Sequence, residues 1–249
     1  MTTGREQQLD RAAHILVQSR IMQTVSSRLA PDSRPATIEE AYILQKKVAC
    51  LLGVEKTGWK VSPYGDGKSV AAPIFAADIF ASGADVAHVT GIETEILLHL
   101  KADLPYRPTH PYDRAEICQA IDFYALGFEL IQCRFSDDDQ TILERLADCL
   151  LNRGLVIGAQ QAFVKDGQIP SMLPELYRND QPCSFRPNPI DPIASLHAYA
   201  NSGGDQFGGL CAGQWVATGS MTGMEKACAP DRWRATLDGG LEVTVTLVG

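Results

Sequence analysis

Glu93 and Glu95 stand two residues apart in the run Ile92-Glu93-Thr94-Glu95-Ile96-Leu97-Leu98. Alternate side chains of a strand share a face, so the two carboxylates point one way while Ile92, Thr94, Ile96 and Leu98 turn to the other. Glu129 is alone in a further apolar run, Ala125-Leu126-Gly127-Phe128-Glu129-Leu130-Ile131. Carboxylates are seldom buried without a partner, and no lysine or arginine at an alternating position is placed to neutralise all three. A hard divalent cation would do so, since Mg²⁺ takes oxygen ligands in octahedral geometry. The other arrangement open to these residues is a solvated strand face for Glu93 and Glu95, with Glu129 paired to an arginine.

Lys60 follows Gly58-Trp59 and lies between apolar residues of a short strand. Its ammonium either faces inward or snorkels to solvent from the strand end. Thr218-Gly219-Ser220 closes the apolar segment Trp215-Val216-Ala217 and offers hydroxyls and backbone N–H groups, suited to an anionic ligand or to an ordinary turn. The histidines carry less. His14 and His197 fall in helical patterns and His88 and His110 in loops, while His99 shares the Glu93/Glu95 face four residues further on. No HExxH, GxSxG, Walker or GxGxxG pattern stands in its required context. The glycine-rich stretch 203–209 has no strand before it and no helix opening inside it, so it is a loop.

These residues need a scaffold. Apolar positions at helical spacing run from Leu9 through Leu16, Ile21 and Val25 to Leu29, predicting a first helix that ends before Pro31. Thr37-x-x-Glu40 opens a second helix that Gly53 stops. Short strands and turns follow: Gly58–Val61, Ile92–Leu100, and a long strand from Phe123 to Phe135. Asp113-x-x-Glu116 opens a short helix through Ile121, and Ile142–Leu151 is another. Leu155–Val164 with Asp166-Gly167 suggests a hairpin, Ile190–Ala200 a late helix, and Trp233–Leu237 with Leu241–Val248 a closing hairpin around Asp238-Gly239-Gly240. The order of elements predicts an α+β or mixed β fold rather than regular βαβ alternation. No internal repeat or long linker divides the chain. It is expected to form a single domain over 1–249, with an N-terminal helical cap over 1–55 and the site-bearing part over 56–249.

A chain of 249 residues can bury a core without disulfides or a structural metal. Its formal net charge of −8 argues against nucleic acid or an anionic membrane as partner. Seven cysteines, an odd number without CxxC spacing, indicate reduced thiols. The first residues lack an apolar stretch of the signal-peptide kind, and no apolar run reaches membrane-spanning length. A soluble, cytoplasmic protein is expected.

Together these segments resemble the 2-keto-4-pentenoate hydratase branch of the fumarylacetoacetate hydrolase superfamily. The resemblance covers most of the chain: Ile38-Glu39-Glu40-Ala41-Tyr42-x-x-Gln45, Gly58-Trp59-Lys60-Val61, Glu93-x-Glu95, the strand glutamate Glu129, Ala147-Asp148, and Ala212-Gly213-Gln214-Trp215-Val216-Ala217-Thr218-Gly219-Ser220-Met221-Thr222-Gly223. It implies a mixed β-roll or barrel with flanking helices, assembled as a homo-oligomer and able to associate with a decarboxylase. It implies that Glu93, Glu95 and Glu129 ligate Mg²⁺ or Mn²⁺, that Lys60 is catalytic beside the substrate, and that Asp148, Thr218 and Gly219 bind substrate. The chain departs from the family at Val61-Ser62-Pro63-Tyr64-Gly65, at Gln132-Cys133-Arg134 and at Asp148-Cys149-Leu150-Leu151, segments that shape the substrate side of the pocket.

Three carboxylates leave three octahedral positions, enough for the carboxylate and keto oxygens of a 2-oxo acid and one water. A metal there polarises the keto oxygen and stabilises enolate charge. The expected reaction is hydration of a 2-oxo-4-enoic acid to a 4-hydroxy-2-oxo acid, in catabolism of aromatic or related compounds. Decarboxylation of a 2-oxo dioic acid, of the 4-oxalocrotonate type, comes second and C–C hydrolysis third. The non-enzymatic alternative is a catalytically impaired partner subunit.

Overall fold

Thr37 begins helix formation as the sequence pattern requires: its hydroxyl accepts from Glu40 N, and Gly53 at φ 64° ends the helix in the left-handed conformation. The computed structural model describes residues 4–65, 67–136, 139–164, 169, 173–237 and 240–249. They form α1 (Gly4–Met22), α2 (Ile38–Leu52), β1 (Lys56–Pro63), β2 (Ser69–Phe75), β3 (Ile79–Ala81), β4 (Ala84–Ala87) and β5 (Gly91–Leu100). After these come α3 (Arg114–Gln119), β6 (Ile121–Ile131), α4 (Ile142–Ala147), β7 (Asn152–Ala162), β8 (Glu175–Arg178) and β9 (Gln181–Pro182). The chain closes with α5 (Pro192–Ser202), β10 (Trp215–Ser220), β11 (Glu225–Lys226), β12 (Arg232–Leu237) and β13 (Leu241–Val248).

The main sheet has the strand order β2-β1-β10-β5-β6-β7-β3, with β11 pairing onto β5. β1–β10 and β3–β7 are parallel and the other pairs antiparallel, so the sheet is mixed. It curls until β2 approaches β7. A second sheet, β4-β13-β12-β8-β9, packs on it around the largest core, where Trp59, Ile92, Ile96, Leu98, Leu126 and Phe128 meet Trp233, Val243 and Val245. These main-sheet residues share one face. The other face carries Lys60, Glu93, Glu95 and Glu129 beside a small apolar cluster of Ile74, Leu97, Ala125, Leu155, Trp215 and Ala217. α1 and α2 cap the roll, with Leu16, Leu44 and Val48 packing toward Val70, Phe135 and Leu146. The Arg5 guanidinium pins the two helices together by a hydrogen bond of 2.7 Å to Glu40. The architecture is the mixed α+β roll expected from the sequence, and among the described residues no helix is long and apolar enough to cross a membrane.

Several boundaries differ from the sequence expectation. α1 stops at Met22, because Gln23 takes a left-handed φ of 52° and Val25 is exposed; Leu29 is buried from extended chain instead. The long strand spans Ile121–Ile131, and Phe135 makes only an isolated bridge to Ser26. The helix expected over Ile142–Leu151 breaks after Ala147, since Cys149, Leu150 and Leu151 adopt φ of 54°, 54° and 62°. β7 pairs with β6 and β3 rather than with a returning strand, and the expected turn at Asp166-Gly167 lies outside the described residues. The closing hairpin is present, with Leu237 paired to Leu241; Asp238 and Gly239 lie outside the described residues.

Candidate active site

The antiparallel register of β5 and β6 sets Glu93 directly across from Glu129 and Glu95 across from Gly127. A glycine is needed at 127, where a Cβ would lie 2.8 Å from Val156 O and collide with the Leu97 side chain. The three carboxylates therefore converge, each offering an oxygen within 4.8 Å of the others. Glu95 and Glu129 are fully buried, and Glu93 is partly open to the cavity.

Lys60 lies at the centre. Its Nζ is 3.0 Å from Glu93 Oε2 and also contacts Glu95 Oε1 and Glu129 Oε2. This corrects the expectation that no lysine or arginine is placed to neutralise all three glutamates. Lys60 is on β1, which joins the sheet through the late strand β10 in the pairing Lys60↔Ala217, while β10 continues onto β5 through Ala217↔Leu97. Glu129 is not paired to an arginine.

Electrostatics follow from burial and this one cation. Desolvation pushes Glu129 up to about 8, with Lys60 pulling it back and the neighbouring glutamates adding to the rise. Desolvation also raises Glu95 against the pull of Lys60. At Glu93 desolvation is outweighed by Lys60, and its carboxyl stays below the usual range. Burial works against the Lys60 charge, but Glu129, Glu95 and Glu93 together hold its pKa well above the ordinary lysine value. With all three glutamates ionised, as a bound cation would hold them, and Lys60 protonated, the formal charge is −2, the complement of one divalent cation. Glu129 Oε2 is in ion contact with Lys60. An all-oxygen donor set with that residual charge fits a hard divalent cation.

Further groups orient the carboxylates. The sheet register shifts between Ala217 and Ser220, and there the Gly219 N–H donates to Glu95 Oε2 at 2.9 Å. Gly219 has φ 119°, and a Cβ at this position would lie 2.7 Å from Ile190 Cδ1. Asn152 Nδ2 donates to Glu129 Oε1 at 2.9 Å, and the Asn152 carbonyl accepts from Arg134 Nη2 at 2.7 Å. Arg134 is buried and donates to Asp148 Oδ1 at 3.1 Å; Arg20 lies 3.6 Å from the same oxygen.

A cavity of about 540 Å³ opens over this cluster, lined by Lys60, Glu93, Glu129 and Gly219 among others. Asp148 and Thr218 do not line it. Asp148 is held by the two arginines, and the Thr218 hydroxyl donates to Ile96 O at 2.8 Å. His99 hydrogen-bonds Asp122 at 2.6 Å toward the opposite end of β5, its ring 5.0 Å from that of Trp215.

No family model matches the chain, and no curated protein matches its sequence. Solved structures do match. 4-Oxalocrotonate decarboxylase from Pseudomonas putida G7, complexed with magnesium and adipate, superposes with a TM-score of 0.82 at 18% identity over 99% of both chains. The same enzyme complexed with calcium and acetate gives 0.81 at 17% identity, again over 99% of both chains. The chain has the fumarylacetoacetate hydrolase fold. Fumarylpyruvate hydrolase from Pseudomonas aeruginosa, in complex with Mn²⁺ and pyruvate, matches with a TM-score of 0.54 at 14% identity, over 78% of this chain and 89% of that one.

Within this fold the cavity also recruits residues that the sequence did not flag. Asn188 and Ile190 reach it from the segment before α5, and Asn188 Nδ2 donates to Ser220 O at 2.7 Å. Arg145 reaches it from α4. Asn152 sits below, behind Glu129. Arg145 and Ile190 fall in segments expected to be helical, but helical periodicity does not show which residues reach a distant cavity, and each arrives through tertiary packing.

Proposed function

We propose that this protein is a metal-dependent lyase that forms the enolate of a 2-oxo acid, adding water to a 2-oxo-4-enoic acid to give a 4-hydroxy-2-oxo acid. The observation that carries the reading is the convergence of Glu93, Glu95 and Glu129 on Lys60 at the floor of the cavity. In this reading the three glutamates hold Mg²⁺ or Mn²⁺, which when bound supplies Lewis-acid polarisation of the substrate's keto oxygen. The Gly219 N–H and the Asn152 amide would orient Glu95 and Glu129 as ligands by holding one oxygen of each. Lys60 keeps its proton, so it offers a positive charge to an anionic substrate and a proton to the carbon or oxygen that becomes basic as the double bond shifts. Thr218 acts through β5 rather than through the substrate, and Asp148 through Arg134 and Asn152.

Decarboxylation of a 2-oxo dioic acid is the second reading, favoured by the match to 4-oxalocrotonate decarboxylase along the whole chain. Both reactions pass through the same enolate, so one experiment tests their common core. With Mg²⁺ in deuterated water, the protein should exchange the C3 protons of a simple 2-oxo acid, and Glu129→Gln should stop the exchange. No exchange in the wild type with metal bound would refute the enolate reading. Supplying a 2-oxo-4-enoic acid and a 2-oxo dioic acid in parallel, and following hydrated product against released carbon dioxide, separates the two reactions.

A further inference from the structure

Behind Glu129 the glutamate cluster is braced by residues that do not line the cavity. Asn152, whose amide donates to Glu129 Oε1, opens β7 directly after the left-handed run of Cys149, Leu150 and Leu151. Residues with a Cβ adopt this conformation unfavourably, and it persists where the surrounding structure fixes it. The ladder is irregular at the same place. Leu130 pairs with Gly154 and Ile131 with Asn152, so Arg153 is left over on β7 as a bulge. A strained turn and a bulge thus flank the residue that holds Glu129.

Two guanidiniums hold this place. Arg134 Nη2 donates to Asn152 O at 2.7 Å, while its Nη1 donates to the two Asp148 carboxylate oxygens at 3.1 and 3.2 Å. Arg20, in the last turn of α1, brings a second guanidinium to the same aspartate. Its Nη2 lies 3.6 Å from Asp148 Oδ1 and donates to Asp148 O at 3.5 Å. That carbonyl also accepts from Leu151 N at 3.0 Å and so closes the left-handed run. The Arg20 guanidinium carbon is 5.5 Å from the centre of the Phe75 ring, and only 9% of the side chain is exposed. Two such groups on one carboxylate repel each other: burial and the Arg20 charge pull Arg134 below the ordinary arginine value, although Asp148 opposes them. An apolar side chain would pack here without that repulsion. What the Arg20 guanidinium adds is a hold on both the carboxylate and the carbonyl of Asp148.

We infer that Arg20 is a positioning residue of the metal site: through Asp148 and Arg134 it fixes the backbone of Asn152, and through the Asn152 amide the orientation of Glu129. The inference rests on the metal reading of the glutamate cluster. It gives the first helix a part in metal binding although none of its residues lines the cavity.

The test is calorimetric titration of Mn²⁺ into the protein and its variants. Arg20→Met should weaken binding about tenfold; Arg20→Gln serves the same comparison should Arg20→Met not fold. Both contacts to Asp148 come from one nitrogen, Nη2, so an ammonium can replace them. Arg20→Lys should therefore bring the dissociation constant back to within threefold of wild type. Arg5→Met breaks a different ion pair of α1, the one to Glu40, and should lower the melting temperature while leaving Mn²⁺ affinity as it is. Arg20→Met added to Asn152→Ala should weaken binding no further than Asn152→Ala alone, since the path runs through that amide. A loss under threefold in the neutral Arg20 variant overturns the assignment. So does an Arg20→Lys no better than that variant, an equal loss in Arg5→Met, or losses that multiply in the double variant. Each of these leaves the metal reading standing. If the wild type binds no Mn²⁺, the metal reading fails and this inference fails with it.

Discussion

Glu93 and Glu129 are paired residue to residue across the β5–β6 ladder, two like charges in a position where like charges repel. Lys60 relieves only part of this: the Glu129 carboxyl is pushed up to about 8, and full ionisation of the cluster, at a formal −2, needs a further cation. Mg²⁺ or Mn²⁺ should therefore raise the melting temperature. At a hundredfold excess over its dissociation constant a single-site ligand stabilises by about 2.7 kcal/mol. Glu129→Gln removes one charge and should abolish most of the rise while the fold persists. A wild-type melt indifferent to both metals would remove the metal site.

Lys60→Met takes away the only cation among the described residues in contact with the three glutamates. Breaking a buried ion cluster by removing one partner costs about 3–5 kcal/mol, so the metal-free variant should melt well below the wild type. Added metal should then recover more stability in the variant than it adds to the wild type, while proton exchange falls by orders of magnitude. Equal metal responses in the two proteins would show that Lys60 is not the counter-charge of the site.

Asn152→Ala leaves Glu129 Oε1 without its donor. An unsatisfied buried acceptor costs about 1–3 kcal/mol, and loss of a group that orients a metal ligand typically weakens metal affinity about 10–100-fold. Metal titration by calorimetry should show that loss. The exposed Cys50 is free, and Cys50→Ser provides a control that leaves affinity as it is.

Glu144 gives the protein an acid limit away from the cavity. Burial disfavours its charge, but the Arg28 guanidinium and the Thr141 N–H and hydroxyl outweigh that and hold its pKa at about 2. A carboxyl depressed in the folded state stabilises fully above its unfolded pKa, about 4.3, and loses that contribution as pH falls toward the folded value. Melting temperature should therefore drop between about pH 4.3 and 2. Glu144→Gln should flatten that part of the curve. An unchanged acid slope in the variant would assign the loss to other carboxylates.

Much of the site was legible because strand periodicity is local. The alternation around Glu93 and Glu95 and the isolation of Glu129 predicted their shared face, and Asp113-x-x-Glu116 marked the opening of a short helix, which is present as α3. The position of Lys60 was not legible, because β1 meets the rest of the sheet only through β10, far along the chain. The break after Ala147 left no trace either. Its three left-handed residues are cysteine and leucines, with no glycine to announce them. Asp148 illustrates the limit of a motif, since its carboxylate is spent on Arg134 and reaches the site only through Asn152.

The parallel pairing of Gly58 with Trp215 has a consequence for how the protein is made. As the chain leaves the ribosome, Glu93, Glu95 and Glu129 can come together as soon as β5 and β6 have emerged, yet the strand that seats Lys60 beside them arrives only with β10. Contacts so distant in sequence close late and slowly. Until then the nascent sheet carries three crowded carboxylates and an unfilled place between β1 and β5. A chain terminated before Trp215 would keep Glu93, Glu95 and Glu129 and still lack the strand that delivers their counter-charge.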